Sequence, residues 1–261
     1  MIDSEKQKIT GFLHLAGDFL GSGYRSEFQE QIPVNTAPAE SAEQLQITET
    51  ENPKEDQNQD AGVFHTPISE ADSLELIASQ VNDCRNCRLG SSRLNTAPGE
   101  GVLSPLVMVI GEGPGREEDE QGRPFVGRAG QLLDKMLSSI NLSRNTNCFI
   151  ANIVKCRPPN NRDPQPEETS ACAHFLNRQI ILLKPKFILV AGRIAAQTLL
   201  KTSEPIGKLR GRFKDFYLDN LKIPLIVTYH PAALLRYEEY KRPAWEDLKL
   251  LRLKIDESGD S

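Results

Sequence analysis

Four cysteines constrain this chain more than any other feature. Cys84 and Cys87 form a C-x2-C pair, 68 residues separate Cys87 from Cys156, and 15 separate Cys156 from Cys172. One group bound by all four would tie the start of a domain to its middle. Zinc and iron-sulfur clusters both accept four thiolates, but structural zinc usually takes two short knuckles, and here the second pair is spread out. That spread favours a cluster embedded in the fold. The plainer alternative is four scattered buried cysteines, since free Cys is among the most buried residue types. Cys148, at the head of an apolar run, reads as a core residue rather than a ligand.

At 261 residues the chain can hold one well-buried domain and extra material. Residues 27–60 carry nine acidic residues against one basic residue, Lys54, and lack aromatics after Phe28. Such a segment cannot bury enough apolar surface to offset its own ordering, so the region to about residue 66 is expected to be a largely disordered acidic extension. The apolar stretch Ile9–Leu20 is interrupted by His14 and Asp18 and reads as a short transient helix rather than a signal peptide. No other stretch approaches the roughly 18 to 20 apolar residues that span a bilayer. Metal-binding thiols must also stay reduced, so the expectation is a cytoplasmic protein, monomeric and without a membrane partner.

The net charge of −5 averages two unlike parts: residues 1–66 carry 4 Lys+Arg against 12 Asp+Glu, leaving 27 against 24 beyond them. A mildly basic domain fits a nucleic-acid partner. Within it, Gly207–Tyr217 alternates Lys208, Arg210, Arg212 and Lys214, which reads either as a DNA-contacting stripe or as a solvated hairpin edge. In the acidic part, Gln44–Ile47 faintly matches a sliding-clamp peptide.

Four apolar runs read as buried strands: Leu106–Ile110, Phe149–Val154, Phe187–Val190 and Leu225–Thr228. Helical patterns fall at Ser69–Asn82, Ala129–Ile140, Pro166–Leu183, Ile194–Leu200 and Trp245–Leu253. This alternation predicts an α/β fold, a three-layer α/β/α sandwich around a mostly parallel four-stranded sheet. The expected domain spans residues 67–255, with a disordered tail at 256–261. Ligands in such folds collect beyond the carboxyl ends of the strands. Three motif islands lie there: GEGPGREEDEQGRPFVGRAG from Gly111, NIVKCRPPNNR from Asn152 and YHPAALLR from Tyr229. Gly111, Gly113 and Gly115 make a tight loop whose N–H groups can approach a ligand, but neither a Walker loop nor the G-x-G-x-x-G spacing is present.

Together the four cysteines, GEGPG, GRPFVGRAG, NIVKCRPP-x-NR and HP-x-ALLR closely resemble the iron-sulfur (family 4) uracil-DNA glycosylases of bacteria and archaea, over about residues 69–250. The resemblance implies the glycosylase α/β/α fold and a [4Fe-4S] cluster on Cys84, Cys87, Cys156 and Cys172. It also implies hydrolysis of the N-glycosidic bond of deoxyuridine in single- or double-stranded DNA, as in base excision repair. By the same resemblance Phe125 stacks on a flipped uracil. Asn152 would read its edge, since an amide can donate to O4 and accept from N3–H whereas cytosine presents the opposite pattern. His230 would hydrogen-bond O2 as charge develops on the departing base, and Glu118 would line the pocket near C5. Gly111 and Gly113 would approach the base through backbone, and Leu234 and Arg236 would enter the duplex and hold a phosphate. Related families place Asp or Asn where this chain has Gly113, so water activation falls to Glu112, with Asn161 and the loop backbone as further candidates. Two rival readings are a related glycosylase for other deaminated bases and a non-enzymatic iron-sulfur module that binds DNA or senses redox state.

Overall fold

The structure, a computed structural model, describes residues 72–259. The acidic extension to residue 66, the Ile9–Leu20 stretch and the clamp-like Gln44–Ile47 lie outside the described residues. Among those described, no helix is long and apolar enough to cross a membrane.

The sheet has six strands rather than the four expected, in the order β1-β3-β2-β4-β6-β5. The central strands β2 (Val107–Gly111), β3 (Cys148–Asn152), β4 (Phe187–Ala191) and β6 (Leu221–Thr228) run parallel. They correspond to the four apolar runs, and the first three are buried at every position, as strands covered on both faces must be. Each edge carries an antiparallel strand: β1 (Glu100–Gly101) beside β3 and β5 (Phe213–Leu218) beside β6. Strands β5 and β6 form a hairpin that closes with Leu218 opposite Leu221 and Asp219 at φ +51°, a tight two-residue turn.

Alternation along the strands sends side chains to two cores. Met108, Ile110, Phe149, Ile188 and Val227 face one side, with α1 (Leu74–Asp83), α5 (Pro166–Leu183) and α6 (Arg193–Leu200). Val107, Val109, Ile150, Leu189 and Ile226 face the other, covered by α4 (Arg128–Ser138) and α9 (Lys241–Ser258). Cys148 is fully buried in this second core, as expected, and burial pushes its thiol up to about 12. Helix α1 is capped at its N-terminus by Ser73, whose hydroxyl accepts from Leu76 N at 3.1 Å. Helix α9 continues to Ser258 with Ile255 buried, so the tail expected from residue 256 is helical for three residues more. Short helices α2 (Leu89–Ser92), α3 (Arg116–Gln121), α7 (Ile206–Leu209) and α8 (Pro231–Leu234) fill the connections.

Candidate active site

The carboxyl ends of β2, β3 and β6 open onto a cavity of about 630 Å³. It is lined by Glu112, Glu118, Phe125, Asn152, Asn161 and His230 among others, so the three motif islands meet there. Gly111 lies opposite Asn152 in the β2–β3 register. A Cβ at Gly111 would come within 2.5 Å of both Asn152 Oδ1 and Phe125 Cζ, which explains glycine at the first position of the loop.

Phe125 adopts φ +53°, a conformation that a non-glycine residue holds only when its surroundings impose it. Two clamps do so. Glu118 Oε1 accepts from Val126 N and Gly127 N, each at 2.9 Å, while its Oε2 accepts from Gly115 N at 3.1 Å. Arg144, absent from the sequence reading, donates to Pro124 O at 3.1 Å and Phe125 O at 2.8 Å, and its guanidinium pairs with Asp134 at 2.9 Å. On the helix side, a Cβ at Gly130 would overlap Phe125 O at 1.9 Å, so α4 can pass the loop only with glycine there. Glu118 therefore lines the cavity, with both carboxylate oxygens engaged by backbone.

Asn152 is 1% exposed, and its Oδ1 has no hydrogen-bond partner. A buried acceptor left unpaired is costly, so a site of this kind is built for a donor from outside the chain. His230 lines the same cavity as the N-cap of α8, its Nδ1 accepting from Ala232 N at 3.1 Å and its ring centroid 5.5 Å from that of Phe125. Burial pulls the imidazole down to about 4, with Arg236 adding to the effect and Glu118 opposing it. The ring is therefore neutral near pH 7, and with Nδ1 accepting, Nε2 carries the proton. Burial, reinforced by the Asp163 carboxylate and opposed by Arg193, pushes Glu112 up to about 7. Asn161 is exposed at the cavity edge, where its Oδ1 accepts from Arg157 Nε at 2.7 Å.

Two expected DNA contacts are corrected. Leu234 is 1% exposed and packs in the core beneath the sheet, because Pro231 and Leu234, three apart on α8, share its inward face. Its neighbour Leu235 is 42% exposed and lines the cavity with Arg236. Arg210 belongs to the structure: its guanidinium holds Asp247, which is fully buried, through two 2.9 Å bonds, and it also donates to Pro243 O. Lys208 and Arg212 are exposed, Lys214 is half-buried, and none of the three lines the cavity. Arg128, which the sequence reading also missed, is exposed and does line it.

A second, smaller recess is lined by all four cysteines named from the spacing, Cys84, Cys87, Cys156 and Cys172, together with Arg93 and Lys155. Arg93 Nη1 donates to Cys156 Sγ at 2.9 Å and Lys155 N to Cys172 Sγ at 3.3 Å. Burial pushes the Cys172 thiol up to about 11, with Lys155 opposing. No three His, Cys, Asp or Glu side chains among the described residues are grouped closely enough to hold a single metal ion.

A mostly parallel sheet whose strand ends converge on a buried, unpaired amide, a clamped aromatic ring and a neutral histidine defines an α/β protein with a polar cavity walled by an aromatic ring. The sequence profile of the Uracil DNA glycosylase superfamily matches residues 98–249. The chain is 44% identical over 186 residues to the Type-4 uracil-DNA glycosylase of Saccharolobus solfataricus, covering 69% of this chain and 86% of the relative. It is 41% identical to the Type-4 uracil-DNA glycosylase of Sulfurisphaera tokodaii (69% and 84% covered) and to that of Thermotoga maritima (71% and 96%). The chain belongs to the uracil-DNA glycosylase superfamily.

Proposed function

We propose that this protein is a uracil-DNA glycosylase of DNA repair, a hydrolase that releases uracil from DNA and leaves an abasic site. The observation that carries this reading is the unpartnered Asn152 Oδ1, buried at the wall of a cavity that Phe125 and His230 also line. A base inside a duplex cannot reach such a pocket, so the deoxyuridine is flipped into it. Phe125 stacks on the ring, Asn152 accepts from N3–H through Oδ1 and donates to O4 through its amide nitrogen, and His230 donates to O2 through Nε2–H. Glu118, with Gly111 and Gly113, shapes the wall around the base.

In the hydrolysis, the bond between C1′ and N1 breaks and its electron pair leaves with the uracil. A water oxygen bonds to C1′ and gives up a proton, which Glu112 accepts in its ionised form. His230 stabilises the charge on the leaving base, and losing one such donor typically costs about 10² to 10³ in rate. Asn161 faces the same cavity and orients the water. Arg236 and Arg128 at the mouth hold phosphates, and Leu235 takes the gap-filling role first read at Leu234. Lys208 and Arg212 extend the cationic surface away from the pocket.

The four-thiol recess fits a [4Fe-4S] cluster. Each cysteine of such a cluster holds a different iron, so the thiols ring a recess rather than meet at one point, and the N–H donors of Arg93 and Lys155 offset charge on sulfur. When bound, the cluster supplies a cross-link between distant segments. Cys84 and Cys87 follow α1, Cys156 follows β3, and Cys172 lies on α5. Reduced thiols at that site support a cytoplasmic location. The glycosylase domain is assigned from about residue 67, acting as a monomer on single- or double-stranded DNA, and the acidic residues before it are assigned no part in the chemistry; Gln44–Ile47 is the segment a sliding clamp would bind. Release of free uracil from uracil-containing DNA by the purified full chain tests the proposal, and failure to release it would overturn it.

A further inference from the structure

Lys155 is the largest fully buried side chain of the domain, 1% exposed. Its ammonium donates to Asn152 O at 3.1 Å and Gln179 Oε1 at 2.7 Å. Both are neutral oxygens, and among the described residues no Asp or Glu pairs with it. A buried cation without an anion is among the costliest arrangements a fold can hold. The surroundings supply one candidate for that anion. Lys155 lines the four-thiol recess, its backbone N–H donates to Cys172 Sγ, and the next residue is Cys156. Four thiolates around an iron-sulfur core carry net negative charge, whereas four thiols around an empty recess carry none.

We propose that Lys155 is a positioning residue that provides the counter-charge for an anionic cluster in the four-cysteine recess and ties that recess to the backbone of the base-reading Asn152. The inference rests on the [4Fe-4S] reading above. The hydrogen bond to Asn152 O fixes the end of β3 from which the amide projects, and Gln179, whose Nε2 donates to Pro98 O at 2.8 Å, holds the ammonium from the α5 side. One side chain thus spans from the cluster to the strand end that forms the uracil pocket.

The test compares the full-length protein, purified with its iron, with Lys155→Met and Lys155→Arg. The readouts are iron per chain, the rate at which a chelator bleaches the visible absorption, and the reduction potential of the cluster. Removing the positive charge is expected to weaken retention of the cluster by about 10- to 100-fold, the usual cost in metal affinity of losing a partner one step out from a metal, to be read as faster bleaching, and to move the potential in the negative direction. Lys155→Arg, which keeps the charge, should stay closer to the wild type in both. A methionine variant with wild-type bleaching rate and potential would overturn the role of Lys155 while leaving the cluster reading intact. Iron-free wild-type protein from an anaerobic preparation would overturn both. Should the methionine variant fail to fold, Lys155→Gln, which keeps an N–H donor for Asn152 O but no charge, carries the same comparison.

Discussion

If Glu112 accepts the proton from the attacking water, the reaction must follow its ionisation. Burial and the neighbouring Asp163 carboxylate hold the group up at about 7, so the charged form is gained as pH rises through that value. Between about one unit below and one unit above it, the ionised fraction climbs from about one eleventh to about ten elevenths, an increase in rate of about tenfold. His230, held down near 4, stays neutral throughout this window and adds no second step. The assay is single-turnover release of uracil from a single-stranded oligonucleotide at constant ionic strength, for the wild type and Glu112→Gln. The wild-type rate is expected to rise about tenfold over that window with a midpoint near neutrality, and the glutamine variant to be slow and flat. A flat wild-type profile, or the same rise in Glu112→Gln, would refute the assignment. A stability trend runs the other way. A carboxyl whose folded value lies above its unfolded value favours folding below about 4.5, and that contribution is lost as pH rises through about 7.

Leu235→Ala should impair uracil removal most from U·A pairs, less from U·G mismatches and least from single strands, because unstacking is most costly in paired DNA, with little change in melting temperature. Leu234→Ala should instead cost roughly 2 to 5 kcal/mol of stability and slow all three substrates alike; calorimetry with the same three rates separates the two. Asn152→Asp should lower uracil excision by about 10² or more, since a carboxylate cannot donate to O4, and slow release of cytosine from matched DNA is the companion measurement. Arg210→Ala should destabilise the domain by about 3 to 5 kcal/mol by stranding the buried Asp247, while the salt dependence of DNA binding stays unchanged; a flatter salt dependence with an intact melting curve would return Arg210 to the DNA surface.

The four central strands were legible because strands buried on both faces read as unbroken apolar runs. The two edge strands were not. Strand β1 is only two residues long, and β5 shows its alternation of Phe213, Asp215 and Tyr217 against Lys214, Phe216 and Leu218 beneath a more conspicuous pattern of basic residues. The bond between Arg210 and Asp247 joins residues 37 apart in sequence, and no local pattern announces it. Leu234 and Leu235 are adjacent and chemically identical. Only the rotation of a four-residue helix decides which one faces solvent. Phe125, Asn152 and His230 were legible through their motifs, but Arg144 was not, since it holds the Phe125 loop through backbone carbonyls 19 and 20 residues away. The cysteine spacing led to the recess, whereas Lys155 in the same motif gave no sign that its side chain would be buried.

The most direct test of the account is base release. Full-length protein incubated with an oligonucleotide bearing a single uracil should yield free uracil and an alkali-labile abasic site at that position, and none from matched DNA carrying thymine or cytosine there. Intact DNA after incubation with folded, iron-containing protein would contradict the assignment of the Asn152, Phe125 and His230 pocket as a uracil site.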